Sequence, residues 1–365
     1  MHKIFEDIFL DETKYATKIK TNEYHKTGKY MIIDQGQDNI AGYTDLEEGL
    51  YTNLPAIIFG DHTHVIKYVD KPFYLGADGT KILRSKIDNA NYKYLYYALK
   101  NCKIPNTGYN RHFKWLKDTE IYFPNKKKQK EIVENLDKVN ETISKQKKYI
   151  EKLDELVKAR FVEMFGDPKK NNKNLVSIGS IGHLNSGGTP SRGKPEYFQG
   201  SIKWFTAGEL NSLYLGDTIE HISEDGLKNS SAKLFKKGTL MIGMYDTAAF
   251  KMGILTEDSA SNQACANLEP NDNYDVIWLY YVFSILKPLY LNERQGVRQQ
   301  NLSLTKIKNL QFPAAPFDKQ KKFADFVREV DKSKFRDFIS HKHDKYHQFM
   351  MVVLLLYIFI WSYLM

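Results

Sequence analysis

The second half of this chain restates the first, and a doubled sequence narrows the fold more than any composition does, because similar stretches build similar units. Tyr92 to Leu99 (YKYLYYAL) matches Tyr274 to Leu286 (YDVIWLYYVFSIL), with Tyr96-Tyr97 against Tyr280-Tyr281. Both read as aromatic-rich helices. About ten residues later each copy has a glycine and a basic, amide-rich loop, Gly108-Tyr109-Asn110-Arg111 in one and Gly296-Val297-Arg298-Gln299-Gln300-Asn301 in the other. A short strand then ends in Phe-Pro, at Phe123-Pro124 and at Phe312-Pro313, and a Lys/Gln-rich helix start follows at Lys126 to Lys130 and Asp318 to Lys322.

Both of these helices open with the same apolar step. Ile132, Leu136 and Val139 are spaced by four then three, as are Phe323, Val327 and Val330. The first continues through Ile143, Gln146, Ile150, Leu153 and Val157, a heptad seam with one polar interruption. Unbroken from Gln129 to Phe165, it would be roughly 55 Å long. The seam can be covered by the core of its own domain, as in any amphipathic helix. An antiparallel pair of long helices joining two domains would satisfy both seams at once, and is the favoured reading.

Earlier in each half, 53–61 and 238–246 read as buried strands entering polar turns, and 73–83 and 261–268 as a turn and a further strand. The expected fold class is α/β (mixed α+β): two tandem domains joined by long antiparallel coiled-coil spacer helices. The boundaries are a first domain at 1–124, a central spacer helix at 125–168, a second domain at 169–313, a shortened second spacer at 314–340 and an apolar tail at 341–365. A chain of 365 residues also exceeds one ordinary core.

A formal charge of +9 favours a polyanionic partner, either nucleic acid or an anionic membrane surface, although a merely soluble basic protein has the same balance. Only Cys102 and Cys265 are present, far apart, so neither a disulfide framework nor a zinc knuckle is indicated and a reducing cytoplasm fits. Met1 to Leu10 contains Glu6 and Asp7 and has no basic leader, so secretion is not expected. Gly188 to Lys194 matches GxxxxGK, but Pro195 stands where a magnesium-holding hydroxyl belongs, and the stretch reads as an irregular loop. His62 and His64 lack a third ligand nearby, and no metal site is expected. No GxSxG, HExxH or Asn-Pro-Pro-aromatic motif occurs, which points to a non-catalytic chain.

Phe349 to Met365 carries no charge and approaches the ~20 residues of a membrane span, flanked by Lys342 and Lys345. Against an anchor, Lys334 sits where Ile143 sits in the first copy, and the repeat stops near Phe335. The favoured reading is an out-of-frame tail that replaces the rest of the second helix and weakens docking along the first.

Four stretches carry a family resemblance: Lys3 to Asp45; Ser186-Gly187-Gly188-Thr189-Pro190-Ser191 with Tyr197 and Ile202-Lys203-Trp204; Leu153 to Pro168 (LDELVKARFVEMFGDP); and the doubled Phe-Pro with its Gln-rich helix start. Together they resemble the specificity subunit of type I restriction-modification enzymes, to about Phe335. The resemblance implies two target-recognition domains, each reading one half of a bipartite site in double-stranded DNA, and helices that fix the gap. It implies docked modification (methyltransferase) subunits and joined restriction (helicase-nuclease) subunits. S-adenosylmethionine, ATP and magnesium would belong to those partners, with no cofactor in this chain.

Base reading needs paired donors and acceptors, Arg for guanine and Asn or Gln for adenine. The candidate readers are Asn110, Arg111 and His112 in the first domain and Arg298, Gln299 and Gln300 in the second. Lys18, Lys20 and His25, and Thr189, Ser191 and Arg192, are expected phosphate or base contacts. The expected partner-binding helix surface is Ile132, Leu136, Val139, Ile143, Ile150, Leu153, Val157, Phe323, Val327 and Val330. The alternatives are a stand-alone DNA-binding protein and a membrane-tethered interaction protein.

Overall fold

The computed structural model describes residues 1–76, 78–105, 107–108, 110–292 and 301–334. The chain divides into two compact units, Met1–Gln146 and Lys147–Met365. The division falls inside a single helix, Lys126–Phe165, about 60 Å long at 1.5 Å per residue.

In the first unit an antiparallel sheet runs in the order Phe9–Asp11, Thr80–Ser85, Ala56–Gly60, Ile66–Val69. Its central strand, Ala56–Gly60, is buried throughout because both faces are covered. Ile57, Phe59 and Leu83 meet Leu95 and Leu99 of the helix Tyr92–Lys100. Ala56, Ile58 and Ile82, on the opposite face by the period-two alternation of strands, meet Ile33, Phe73 and Leu75. Those residues belong to a smaller sheet, Gly42–Thr44, Tyr30–Ile33, Phe73–Leu75, whose last pairing is parallel. His2–Ile4 pairs antiparallel with Glu120–Tyr122, bringing the start of the unit to the strand that precedes the long helix.

The second unit repeats this plan. Gly182–Ser186, Cys265–Pro270, Leu240–Gly243 and Met252–Leu255 follow in the same order, with Tyr214–Leu215 added at the edge. The smaller sheet runs His221–Ile222, Ile202–Phe205, Ser259–Ser261, and again its middle strand pairs parallel with the third, with Leu234–Phe235 added. Leu175–Ser177 pairs antiparallel with Gln311–Pro313, as His2–Ile4 does with Glu120–Tyr122. Leu240, Ile242 and Leu268 meet Trp278, Val282 and Phe283 of the helix Val276–Leu291, while Met241 and Cys265 face Phe205 and Phe235. The doubled sequence is thus a doubled topology.

Both expected fates of the helical seam are realised, in different places. Within the second unit the end of Lys126–Phe165 packs against a second helix at 317–334. The rings of Phe161 and Phe323 lie 5.3 Å apart, and Lys334 Nζ is 2.7 Å from Asp154 Oδ1, so the two helices run antiparallel. Val157, Phe323, Val327 and Val330 are buried in that core, with Leu153 partly buried against it, so these residues, expected on the partner-binding surface, are instead covered by their own unit. At the other end Ile132 packs on the first unit's core beside the buried Val133. Leu136 and Val139 are half-buried, while Ile143 and Ile150 are exposed.

The glutamines of the two helix starts have a structural cause. Gln129 is buried and its Nε2 donates to the Pro124 carbonyl at 2.9 Å, clamping the chain that enters the helix. Gln320 does the same to the Ala315 carbonyl at 2.7 Å, and its Oε1 accepts from Asp275 N at 3.0 Å. Gln320→Leu is expected to destabilise the second unit by about 1–3 kcal/mol for each buried partner left unpaired. Urea unfolding of the full chain checks this.

Candidate nucleic-acid interface

In the first unit the loops gather at the end of the strand Ala56–Gly60. Asp61 is buried and joins three of them. Its N–H donates to the Gly79 carbonyl at 2.7 Å, its carbonyl accepts from His112 N at 2.8 Å, and its carboxylate accepts from Phe113 N at 2.7 Å, at the start of the helix Phe113–Lys117. Gln35 ties in a fourth loop, accepting from His62 N at 3.1 Å and donating to the Asp78 carbonyl at 3.0 Å. The His62 Nδ1 lies 3.0 Å from the Asn110 carbonyl, which can only accept, so that nitrogen carries the proton. Lys18 reaches the same corner through Asp78, 2.7 Å away. The Lys18 ammonium, with Arg111 adding to it, holds the Asp78 carboxyl below its ordinary pKa.

The second unit builds the same corner from different residues. Leu302 N donates to the Met244 carbonyl at 2.8 Å, the counterpart of the bond from His112 to Asp61. Asn301 Oδ1 accepts from Asp246 N at 3.2 Å, and the Ser303 hydroxyl caps the helix Leu304–Asn309 by accepting from Lys306 N at 3.2 Å. Ser186, Tyr245, Gln263, Asn301 and Lys306 line an open cleft of about 490 Å³ there. Amides, hydroxyls and a lysine at one strand end can pair with base edges and phosphates.

Residues 6–155 and 170–337 each match the family model described as the type I restriction modification DNA specificity domain. This chain belongs to that family. It carries two specificity domains, one for each repeat of the fold. The specificity subunit of the Escherichia coli EcoR124I/EcoR124II type I restriction enzyme is 25% identical over 342 residues, covering 87% of this chain and 83% of that protein. The MjaIX specificity subunit of Methanocaldococcus jannaschii is 27% identical over 173 residues, or 46% of this chain and 39% of the relative. A type I restriction-modification S subunit of M. genitalium superposes with a TM-score of 0.57 at 18% identity, over 92% of this chain and 90% of that one, in agreement on the fold.

Of the residues singled out in the first specificity domain, Lys18, Asn110 and Arg111 converge on the corner. Lys20 and His25 are exposed on the stretch that runs past it, His25 being paired through its backbone with Tyr43. His112 needs correction as a base reader. It is 1% exposed, its Nδ1 bonded to the Asp61 carbonyl at 3.0 Å and its ring 3.9 Å from that of His64, so it supports the corner from inside.

In the second specificity domain Thr189 bonds Gln263 at the rim of the cleft, and Ser191 is exposed. Arg192 is exposed but already paired. Two of its five N–H donors engage the Glu220 carboxylate and the guanidinium lies over the rings of Phe198 and Trp204 at 4.1 and 5.3 Å, so a contact to DNA has to use its remaining N–H groups or displace Glu220. Arg298, Gln299 and Gln300 lie outside the described residues. The first glycine of the GxxxxGK look-alike serves packing: a Cβ at Gly188 would fall 2.2 Å from the Ser231 carbonyl oxygen, and the Gly188 N–H already donates to Ser261 at 2.9 Å. Among the described residues no group of three His, Cys, Asp or Glu could hold a metal ion, and no helix is long and apolar enough to cross a membrane. The apolar tail lies outside them.

Gln35, Asp61, Gln263, Asn301 and Lys306 escaped the sequence reading of the site. So did Glu209, which fixes the connection after Ile202–Phe205. Burial alone would raise its carboxyl, but bonds from Ile219 N at 2.9 Å, Thr206 Oγ1 at 2.7 Å, Thr206 N at 2.8 Å and Thr218 Oγ1 at 2.8 Å hold its pKa below the ordinary value. A depressed carboxylate contributes stability that is present above its unfolded pKa and lost as pH falls through its folded pKa. Loop 206–220 is therefore expected to loosen only below the ordinary glutamate range. Amide protection in this loop, taken relative to the intrinsic exchange rate at each pH, should fall at acid pH in the native chain, and already at neutral pH in Glu209→Gln.

Proposed function

We propose that this chain is the non-catalytic, DNA-reading subunit of a type I restriction-modification complex, each specificity domain contacting one part of an asymmetric, two-part site in double-stranded DNA. The observation that carries this reading is the repeated corner. Equivalent backbone bonds, His112 to Asp61 and Leu302 to Met244, hold loops whose exposed residues differ, as two readers of different half-sites would require. The long helix and the helix at 317–334 set the gap between the parts, and the exposed Ile143 and Ile150 supply apolar surface for a modification subunit. Restriction subunits join through that assembly. Methyl transfer from S-adenosylmethionine and ATP- and magnesium-dependent cleavage reside in the partners, in the cytoplasm. Sequencing of adenine methylation in cells with and without this gene tests the reading. One two-part motif is expected to lose its methylation on deletion; an unchanged methylome contradicts it.

A further inference from the structure

The first specificity domain holds a second amide-bearing loop at its corner, between the strands Tyr30–Ile33 and Gly42–Thr44. Residues 34–40 read Asp-Gln-Gly-Gln-Asp-Asn-Ile, and Gln37, Asp38, Asn39 and Ile40 are exposed. The loop is not slack. Its base is tied to the loops that carry His62 and Asp78, since Gln35 bonds His62 N and the Asp78 carbonyl and the Thr63 hydroxyl donates to the Gln35 carbonyl at 2.6 Å, and His62 in turn bonds the Asn110 carbonyl through Nδ1 at 3.0 Å. Asp34 Oδ1 accepts from Gly36 N at 2.8 Å, bending the chain.

The far side of the loop is held from beneath by Lys67. This residue lies opposite Ile58, on the face of the larger sheet that packs against the smaller one, where a hydrophobic residue would be expected. Its side chain is 4% exposed; Nζ donates to the Asp38 carbonyl at 2.5 Å and stands 3.7 Å from the Asp34 carboxylate. A lysine in such surroundings carries a desolvation cost that an apolar residue would not. What it provides is a fixed backbone at Asp38, the residue between the two exposed amides. In the second domain Glu209 fixes the topologically equivalent connection with a charge of opposite sign.

We propose that residues 34–40 form a base-reading loop of the first specificity domain, with the Gln37 and Asn39 amides presented to adenine edges and Lys67 as their positioning residue. An Asn or Gln amide offers adenine one donor and one acceptor in a fixed plane, and this recognition is sharp only if the backbone beneath it is fixed. The inference rests on the DNA-reading function proposed above. It adds three residues that none of the family-level likenesses assigns.

Selection of binding sites from a random double-stranded DNA pool by the full chain, and by its Gln37→Ala, Asn39→Ala and Lys67→Met variants, tests it. The unaltered chain should select a two-part motif. Gln37→Ala or Asn39→Ala should lower the preference at one position of one part by about tenfold or more, with the other part unchanged. Lys67→Met should blur that same position; a role confined to folding would reduce recovery of the whole motif without altering which bases it specifies. A motif unchanged in both amide variants overturns the proposal while leaving the DNA-reading function standing. Failure of the unaltered chain to select any two-part motif overturns both.

Discussion

Replacing Phe323 with alanine is expected to destabilise the second unit by about 3–5 kcal/mol, as measured by calorimetry or urea unfolding of the full chain. Phe323 is fully buried, and its ring meets those of Phe161, Phe165 and Tyr281 at 5.3, 5.9 and 5.4 Å. Its loss removes the aromatic hub by which the helix at 317–334 is held to the end of Lys126–Phe165. The first unit has its own core, built on Phe5, Phe59, Leu83 and Leu95, so its transition should stay in place while the second moves. A shift below about 1 kcal/mol would show that the helix pair contributes little to the second unit.

DNA binding by the full chain is expected to weaken about 10³- to 10⁵-fold between 50 and 200 mM salt, for a footprint of six to ten phosphates. The positive surplus of +9 supplies the attraction. Some of the cations are already matched by carboxylates, Lys18 by Asp78, Arg192 by Glu220 and Lys236 by Asp258, so the surplus rather than the total of lysines and arginines sets the scale. Fluorescence anisotropy with a labelled duplex gives the slope of log affinity against log salt, expected at about −5 to −9. A slope near −1 would contradict the assignment of this surface to DNA.

The fold was legible where one local pattern suffices. Short continuous apolar runs entering polar turns marked Ala56–Gly60 and Leu240–Gly243 as buried strands, and the four-then-three step of Phe323, Val327 and Val330 marked a helix with one buried face. The doubled Phe-Pro placed the paired strands Glu120–Tyr122 and Gln311–Pro313. The site was less legible because its chemistry depends on partners distant in sequence. His112 sits in a polar, basic loop and reads as a surface residue until Asp61 closes over it; Arg192 reads as a free cation until Glu220 occupies its fork. Asp61 and Gln35 act through backbone groups of other loops, a role with no signature in their own neighbourhood. The seam at Ile143 and Ile150 was visible as apolar spacing, but spacing alone does not say where along a helix the cover ends.

The most direct measurement of the central idea is an exchange. Residues 1–124 are replaced by the corresponding segment of another specificity subunit of different target, and the methylated motif is read in cells that also express the modification subunit. Two independent readers on a common frame predict that one part of the motif changes to that of the donor while the other part keeps its sequence. Change in both parts together, or in neither, would contradict it.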